Sequence, residues 1–258
     1  MIRVLYVGDG SIRLETEIKG AEVIHYVSRI KDAAAALRNA LALDPEIKVT
    51  HLSPIYTFSQ FPSTAEELQE NYDVVILSDV GAETFTTYPL EEGQPLKPRP
   101  NRMRELAKFV ERGGGLIFGG GYFTFQGRYG RGNWYGTPIA DALPVEILNV
   151  IDDRQETPEG VGIEILNTDH PVTRGIPWQE CPVFFGYNKT RIKPKGELLG
   201  TIEDYPFIAV GSSGRARILA FTPDPCAHWG EYFTQWEHYP GFWQQAVHWV
   251  SGENSGEE

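Results

Sequence analysis

Short apolar runs closed by glycine and aspartate recur along the first half of the chain. Ile2–Val7 ends at Gly8-Asp9-Gly10, Val74–Leu77 at Ser78-Asp79-Val80-Gly81, and Leu116–Phe118 at Gly119-Gly120-Gly121. Runs of this length before such turns predict buried β-strands. Ile47–Leu52, which alternates and is closed by Pro54, predicts a further strand. Helical patterns separate these runs. Asp32–Leu43 is rich in Ala and Leu and is stopped by Pro45. A short helix is expected from Ser63 as N-cap, with Glu66 reaching back, to about Asn71. Arg102–Arg112 places Met103, Leu106, Ala107 and Val110 on one face and ends at Gly113-Gly114-Gly115. Alternation of strands and helices implies right-handed crossovers and a parallel sheet. The near-continuous apolar strands imply that both of its faces are covered.

The second half changes character. Glu197–Ile202, Phe207–Val210 and Arg215–Phe221 are strand-like runs a few residues apart, and Gly211-Ser212-Ser213-Gly214 signals a hairpin. Antiparallel strands should therefore extend the sheet. Pro240–Val250 predicts a closing helix with Phe242, Trp243, Ala246, Val247 and Trp249 as its apolar set. With no internal repeat and no linker, one domain over residues 1–252 is expected. It has an irregular middle from Tyr122 to Pro194, a Pro-rich loop at Gly93–Pro100 and a solvated acidic tail at 253–258.

Composition narrows the partners. The 258 residues carry a formal net charge of −12, which repels phosphate backbones, so nucleic acid is not an expected partner. Two cysteines, Cys181 and Cys226, make no disulfide framework and fit a reducing compartment. The N-terminus lacks a signal-peptide pattern and no run approaches bilayer length, so a cytoplasmic protein without a membrane partner is expected. The aromatic-rich stretch Trp229–Trp249 exceeds what one helix needs for its own core and predicts a homo-oligomer.

Candidate chemistry gathers at the strand ends, where open α/β sheets bind ligands. Asp9, Asp79 and Asp224 either line one cleft or each cap a turn. Gly119, Gly120 and Gly121 either admit a ligand against the backbone, as in an anion nest, or make a tight structural turn. They match neither a P-loop nor a dinucleotide fingerprint. Tyr122–Tyr135 mixes aromatics with Arg128 and Arg131; such a surface suits sugar rings or other flat polar ligands, and equally a pinned loop or subunit contact. Cys226 and His228 are the one close thiol–imidazole pair, although a lone cysteine is more often a small buried hydrophobe. His228 and His238 flank Glu231 and Glu237 without metal-ligand spacing, and G-x-S-x-G is absent, so neither a metal, a cofactor nor a serine nucleophile is expected.

The glycine-flanked strand Gly113–Gly121, the segment His170-Pro171-Val172-Thr173-Arg174-Gly175-Ile176-Pro177, and the ending Arg217–Asp224, Pro240–Trp243 and His248–Val250 together resemble the class I glutamine amidotransferase-like superfamily. Within it they are similar to the uncharacterised glutamine amidotransferase branch and its ThuA-like, trehalose-utilisation relatives. The resemblance covers nearly the whole chain. It implies a flavodoxin-like, class I glutamine amidotransferase-like three-layer α/β sandwich, mostly parallel with added antiparallel strands. The family's glutaminases use a Cys on a tight elbow and a His-Pro-Glu late in the chain. The elbow falls here at about Gly120, and Phe221-Thr222-Pro223-Asp224 occupies the second motif, with Thr222 in the His slot. Three readings follow: a non-glutaminase that binds a small polar, sugar-like molecule, with Asp224 or His228 as acid or base if it is an enzyme; a non-catalytic assembly protein whose Trp134, Trp229, Trp236 and Trp243 serve packing and subunit contacts; and a thiol hydrolase using Cys226 and His228.

Overall fold

The computed structural model of the protein describes residues 1–89, 95 and 97–252. The first half runs β1 (Ile2–Gly8), β2 (Gly10–Lys19), β3 (Glu22–Asp32), α1 (Ala35–Ala42), β4 (Ile47–Leu52), α2 (Pro54–Gln60), α3 (Ala65–Asn71), β5 (Val74–Ser78), α4 (Glu83–Thr86), α5 (Arg102–Glu111) and β6 (Gly115–Gly119). There follow α6 (Pro138–Ala142), β7 (Val145–Ile147), β8 (Arg154–Val161), β9 (Ile163–Ile165), β10 (Phe184–Asn188), β11 (Thr190–Ile192), β12 (Glu197–Ile202), β13 (Tyr205–Ser213), β14 (Ala216–Phe221) and α7 (Tyr239–Ser251).

An eight-stranded sheet in the order β4-β1-β5-β6-β14-β13-β12-β9 forms the middle layer. From β4 to β14 neighbouring strands are parallel; β13, β12 and β9 continue antiparallel. The sheet is thus the expected parallel one with antiparallel additions, although β14, counted with the antiparallel set from sequence, also pairs in parallel with β6. Alternation along β1 explains the layers: Ile2, Val4 and Tyr6 enter a core closed by α1 and α7, while Leu5 and Val7 enter one closed by α3 and α5. Because β1 lies between β4 and β5, the connections leaving it and returning past it go to opposite sides, and the carboxyl ends of β1 and β5 flank a topological switch point.

Four expectations are corrected. Asp32 does not begin the first helix; residues 10–32 form the β2–β3 hairpin, almost wholly exposed, and α1 starts at Ala35. Pro54 closes β4 but also opens α2, where a proline in the first turn is tolerated because that N–H has no helical partner. The cap of α3 sits one residue later than read: Thr64 accepts from the Glu67 amide, and Glu67 reaches back to the Ser63 amide. Finally, the aromatics of Trp229–Trp249 are not a surplus awaiting a partner. Trp229, Phe233, Tyr239, Phe242 and Trp243 are buried, most of them in the core under α7, so this stretch no longer argues for self-association. Parts of the Gly93–Pro100 loop and the whole tail 253–258 lie outside the described residues.

Candidate functional site at the strand ends

Register dictates which turns meet. β1 and β5 pair Gly8 with Ser78, so the next residues, Asp9 and Asp79, stand side by side. β14 and β6 pair Phe221 with Gly119, which sets Thr222 beside Gly120 and leads Asp224 toward the same end of the sheet. The three aspartates therefore share one region, close enough that Asp9 feels the charges of Asp224 and Asp79, and Asp224 that of Asp79. Asp9 and Asp79 hold φ of +52° and +44°, and His228 one of +143°. Left-handed backbone at non-glycine residues carries strain that clusters at functional sites.

Each acid has a fixed local partner. The Tyr6 hydroxyl donates to Asp9 and lies 3.2 Å from the Cys226 sulfur. Asp79 Oδ1 accepts the Phe123 amide at 2.9 Å, and Asp224 Oδ1 accepts the Cys226 amide at 2.8 Å. Asp9 and Asp224 are buried. Loss of water pushes the carboxyl pKa of both well up, reinforced at Asp9 by the charges of Asp224 and Asp79, and at Asp224 by that of Asp79. Asp79 is raised chiefly by burial too, against the opposing pull of its backbone bonds. Carboxyls arranged in this way do not ionise independently, because burial and each neighbour's charge disfavour the ionised form. The Ser78 hydroxyl lies buried beside Asp9 without a hydrogen bond of ordinary geometry.

The Gly119–Gly121 turn closes the floor. The Gly120 amide donates to the carbonyls of Phe221 (2.8 Å) and Pro223 (3.0 Å), and the Gly121 amide to Asn188 Oδ1 (2.9 Å). Both donors are committed within the protein, so the turn is a structural joint and does not fit an anion nest. Asn188 in turn donates to Asp153, whose carboxylate also accepts the amides of Gln126 and Gly127 at 2.8 Å. Gly121 is required by space as well as by its φ of +141°: a Cβ there would come within 2.9 Å of Asp79 Oδ1.

One wall is aromatic and cationic. Tyr122 packs edge-on against His228 at 4.6 Å between ring centroids, and His228 stacks on Trp229. Arg154 lies 4.4 Å over the Tyr122 ring, held by Asp152 and Glu156, and Glu156 accepts from the Trp229 indole at 3.0 Å. Burial depresses the His228 pKa, favouring a neutral imidazole near pH 7. Its Nδ1 stands 3.7 Å from Asp224 Oδ2, long for a hydrogen bond. The rest of the loop divides between roles: Phe125 and Trp134 are buried in the second core, while Phe123, Tyr129 and Tyr135 are exposed.

Cys226 is fully buried, and burial with Asp9 and Asp224 nearby pushes its pKa well up. Its sulfur lies against the Tyr6 hydroxyl, not His228. Single donor atoms of Asp9, Asp224 and Cys226 lie within 4.8 Å of one another, a spacing that could hold a cation, as could those of Asp44, Glu46 and His248 or of Glu180, Glu237 and His238. Tyr6, Asn188, Asp153, Arg154 and Glu156 were not singled out from sequence. Tyr6 hides in an apolar strand, and the others meet the site only through contacts distant in the chain.

These arrangements accompany clear relationships. The Salmonella typhimurium cytoplasmic protein STM3548 is 29% identical and superposes with a TM-score of 0.87, covering 96% of this chain and 98% of that one. STM1381, a cytoplasmic protein from Salmonella typhimurium LT2, is 30% identical with a TM-score of 0.86, covering 96% and 99%. A ThuA-like protein from Parabacteroides merdae shares the fold at 11% identity and a TM-score of 0.55, covering 100% of this chain and 92% of that one. No curated protein matches the chain. Among the described residues no helix is long and apolar enough to cross a membrane. A family model described as "Putative glutamine amidotransferase" (GATase1-like) matches residues 3–252, and the chain belongs to that family.

Proposed function

We propose that this chain is a non-glutaminase member of its family that binds a small polar, sugar-like molecule at the carboxyl ends of β1, β5 and β14. The observation that carries the reading is the gathering of Asp9, Asp79 and Asp224 from three strands beside the Tyr122–His228–Trp229 wall. Carboxyls that share protons can both donate to and accept from hydroxyl groups, and aromatic faces suit the apolar faces of sugar rings. If a reaction follows binding, a protonated carboxyl is the natural acid and neutral His228 the natural base. The two Salmonella relatives are cytoplasmic proteins, which supports the cytoplasm as its location.

Two features oppose glutamine hydrolysis. Gly120 provides no nucleophile at the elbow, and the buried Thr222 hydroxyl, in the place of the base, donates to the Pro206 carbonyl. The thiol-hydrolase alternative fares no better, because a sulfur at Cys226 held as a thiol beside carboxylates is a weak nucleophile. The test has two arms. Purified protein should release no ammonia from glutamine, and Cys226→Ala should behave identically; release abolished by that substitution would restore the thiol enzyme. Calorimetric titration with trehalose, glucose and inositol should show binding to at least one that Asp79→Asn weakens. Equal binding by the variant would remove the acids from the site, and no heat with any of the three would overturn the sugar-like class.

A further inference from the structure

The β2–β3 hairpin leaves the body at Asp9 and returns at Ala33, whose amide donates to the Asp9 carbonyl at 2.8 Å. Its pairing sets Ile12 opposite Ile30, Leu14 opposite Val27 and Ile18 opposite Val23, with Thr16 opposite His25 between them. Alternation puts all of these on one face. The six apolar side chains are all exposed, from Ile12 at 42% to Ile30 at 73%. The other face carries Arg13, Arg29 and Lys31 toward the base and Glu15, Glu17 and Glu22 against Lys19 toward the tip, with the exposed Tyr26 and Ile24 opposite Glu15 and Glu17. A two-stranded ribbon is marginal alone in water, and an apolar patch of this extent marks an interaction surface.

We propose that the apolar face of this hairpin binds the same face of a second copy of the chain, making a two-fold dimer with the ribbons stacked antiparallel. Area supports a self-contact: the six side chains leave on the order of 600 Å² open per copy, so stacking buries at most about 1,200 Å², the size at which stable interfaces begin. Pattern supports it as well. The apolar pairs flank the polar Thr16–His25 pair, so a two-fold axis through that pair brings the polar pairs together, sets Leu14–Val27 of each ribbon on Ile18–Val23 of the other, and lays Ile12–Ile30 over the partner's Gly20-Ala21 turn. The charge gradient then sets the basic base of one ribbon beside the acidic tip of the other. The interface adjoins the candidate site, because Lys31 at the hairpin base is near enough for its charge to act on Asp79, Asp224 and His228. This inference does not depend on what the site binds.

Sedimentation equilibrium of the full chain at micromolar concentration is the test. The native chain should be a dimer, and Leu14→Glu combined with Val27→Glu should be a monomer with an unchanged circular-dichroism spectrum, since both side chains face solvent in the single copy. Thr16→Cys, placed near the two-fold axis, should form an inter-chain disulfide under mild oxidation. A native chain that stays monomeric at about 100 µM would overturn the proposal and leave the face to another protein. A dimer that survives both charges, or one in which Thr16→Cys never cross-links, would place the contact elsewhere.

Discussion

Asp224→Asn should stabilise the protein, by an amount that grows with pH. The substitution keeps an oxygen to accept the Cys226 amide and removes only a charge. One donor oxygen of Asp224 lies within 4.8 Å of one from Asp9. At an effective dielectric of about 20, two full charges at that outer limit of separation repel by about 3.5 kcal/mol. Proton sharing lowers the realised cost, so about 1–3 kcal/mol, or a rise in Tm of about 3–8 °C at about pH 8, is expected for a chain of this length. The direction follows from linkage. Both buried carboxyls are raised above their unfolded value of about 3.9, so the stability they confer is complete below that pH and is lost as pH climbs through the raised native values. The asparagine side chain does not titrate, so the variant and native melting temperatures should converge near pH 4 and separate above it. Thermal melts followed by circular dichroism in overlapping buffers measure this directly. A variant no more stable than the native chain at about pH 8, or a gain constant across the range, would refute mutual repulsion; outright loss at alkaline pH would mean that a cation holds both carboxylates ionised.

Other outcomes follow from the same geometry. Gly121→Ala should cost about 1–3 kcal/mol in urea unfolding, because its φ of +141° disfavours a side chain and the new methyl meets Asp79 at 2.9 Å; an unchanged midpoint would show that the turn adjusts freely. Asn188→Ala strips partners from the Gly121 amide and Asp153 at once and should cost about 2–4 kcal/mol by the same measurement, far more than a solvent-exposed asparagine would. The His228 ring, followed by NMR, should titrate below the ordinary histidine value because burial outweighs its acidic neighbours, and a pKa above that value would place it in a true ion pair with Asp224.

The sequence was most legible where burial and punctuation coincide. The runs ending at Asp9, Asp79 and Gly119 are continuous because β1, β5 and β6 are covered on both faces, and each stops where the chain must turn at the sheet edge. That aspartates at the ends of such runs meet is a consequence of parallel adjacency, so the site's acids could be listed before the structure was seen. The β2–β3 hairpin was illegible for the opposite reason: it lacks a buried face, its alternation is broken by a bulge between Arg13 and Leu14, and Gly20 at its tip is a weak signal amid charged residues. Asn188 and Asp153 lie 67 and 26 residues from the amides they hold at Gly121 and Gly127, and no local pattern announces a bond across such distances. Tyr6 reads as core and is core, yet its hydroxyl reaches Asp9.

The environment around the two cysteines has a practical corollary. Burial raises the Cys181 thiol to about 12, and Cys226 sits higher than its ordinary value between carboxylates that disfavour a second anion. Alkylating and maleimide reagents, like peroxides, react with thiolates. The folded native chain therefore offers such reagents almost nothing at neutral pH. A single cysteine introduced at the surface becomes a selective handle for dyes, spin labels or cross-linkers without first stripping the protein of its own sulfur, and native labelling that appears only on heating reports the opening of the fold.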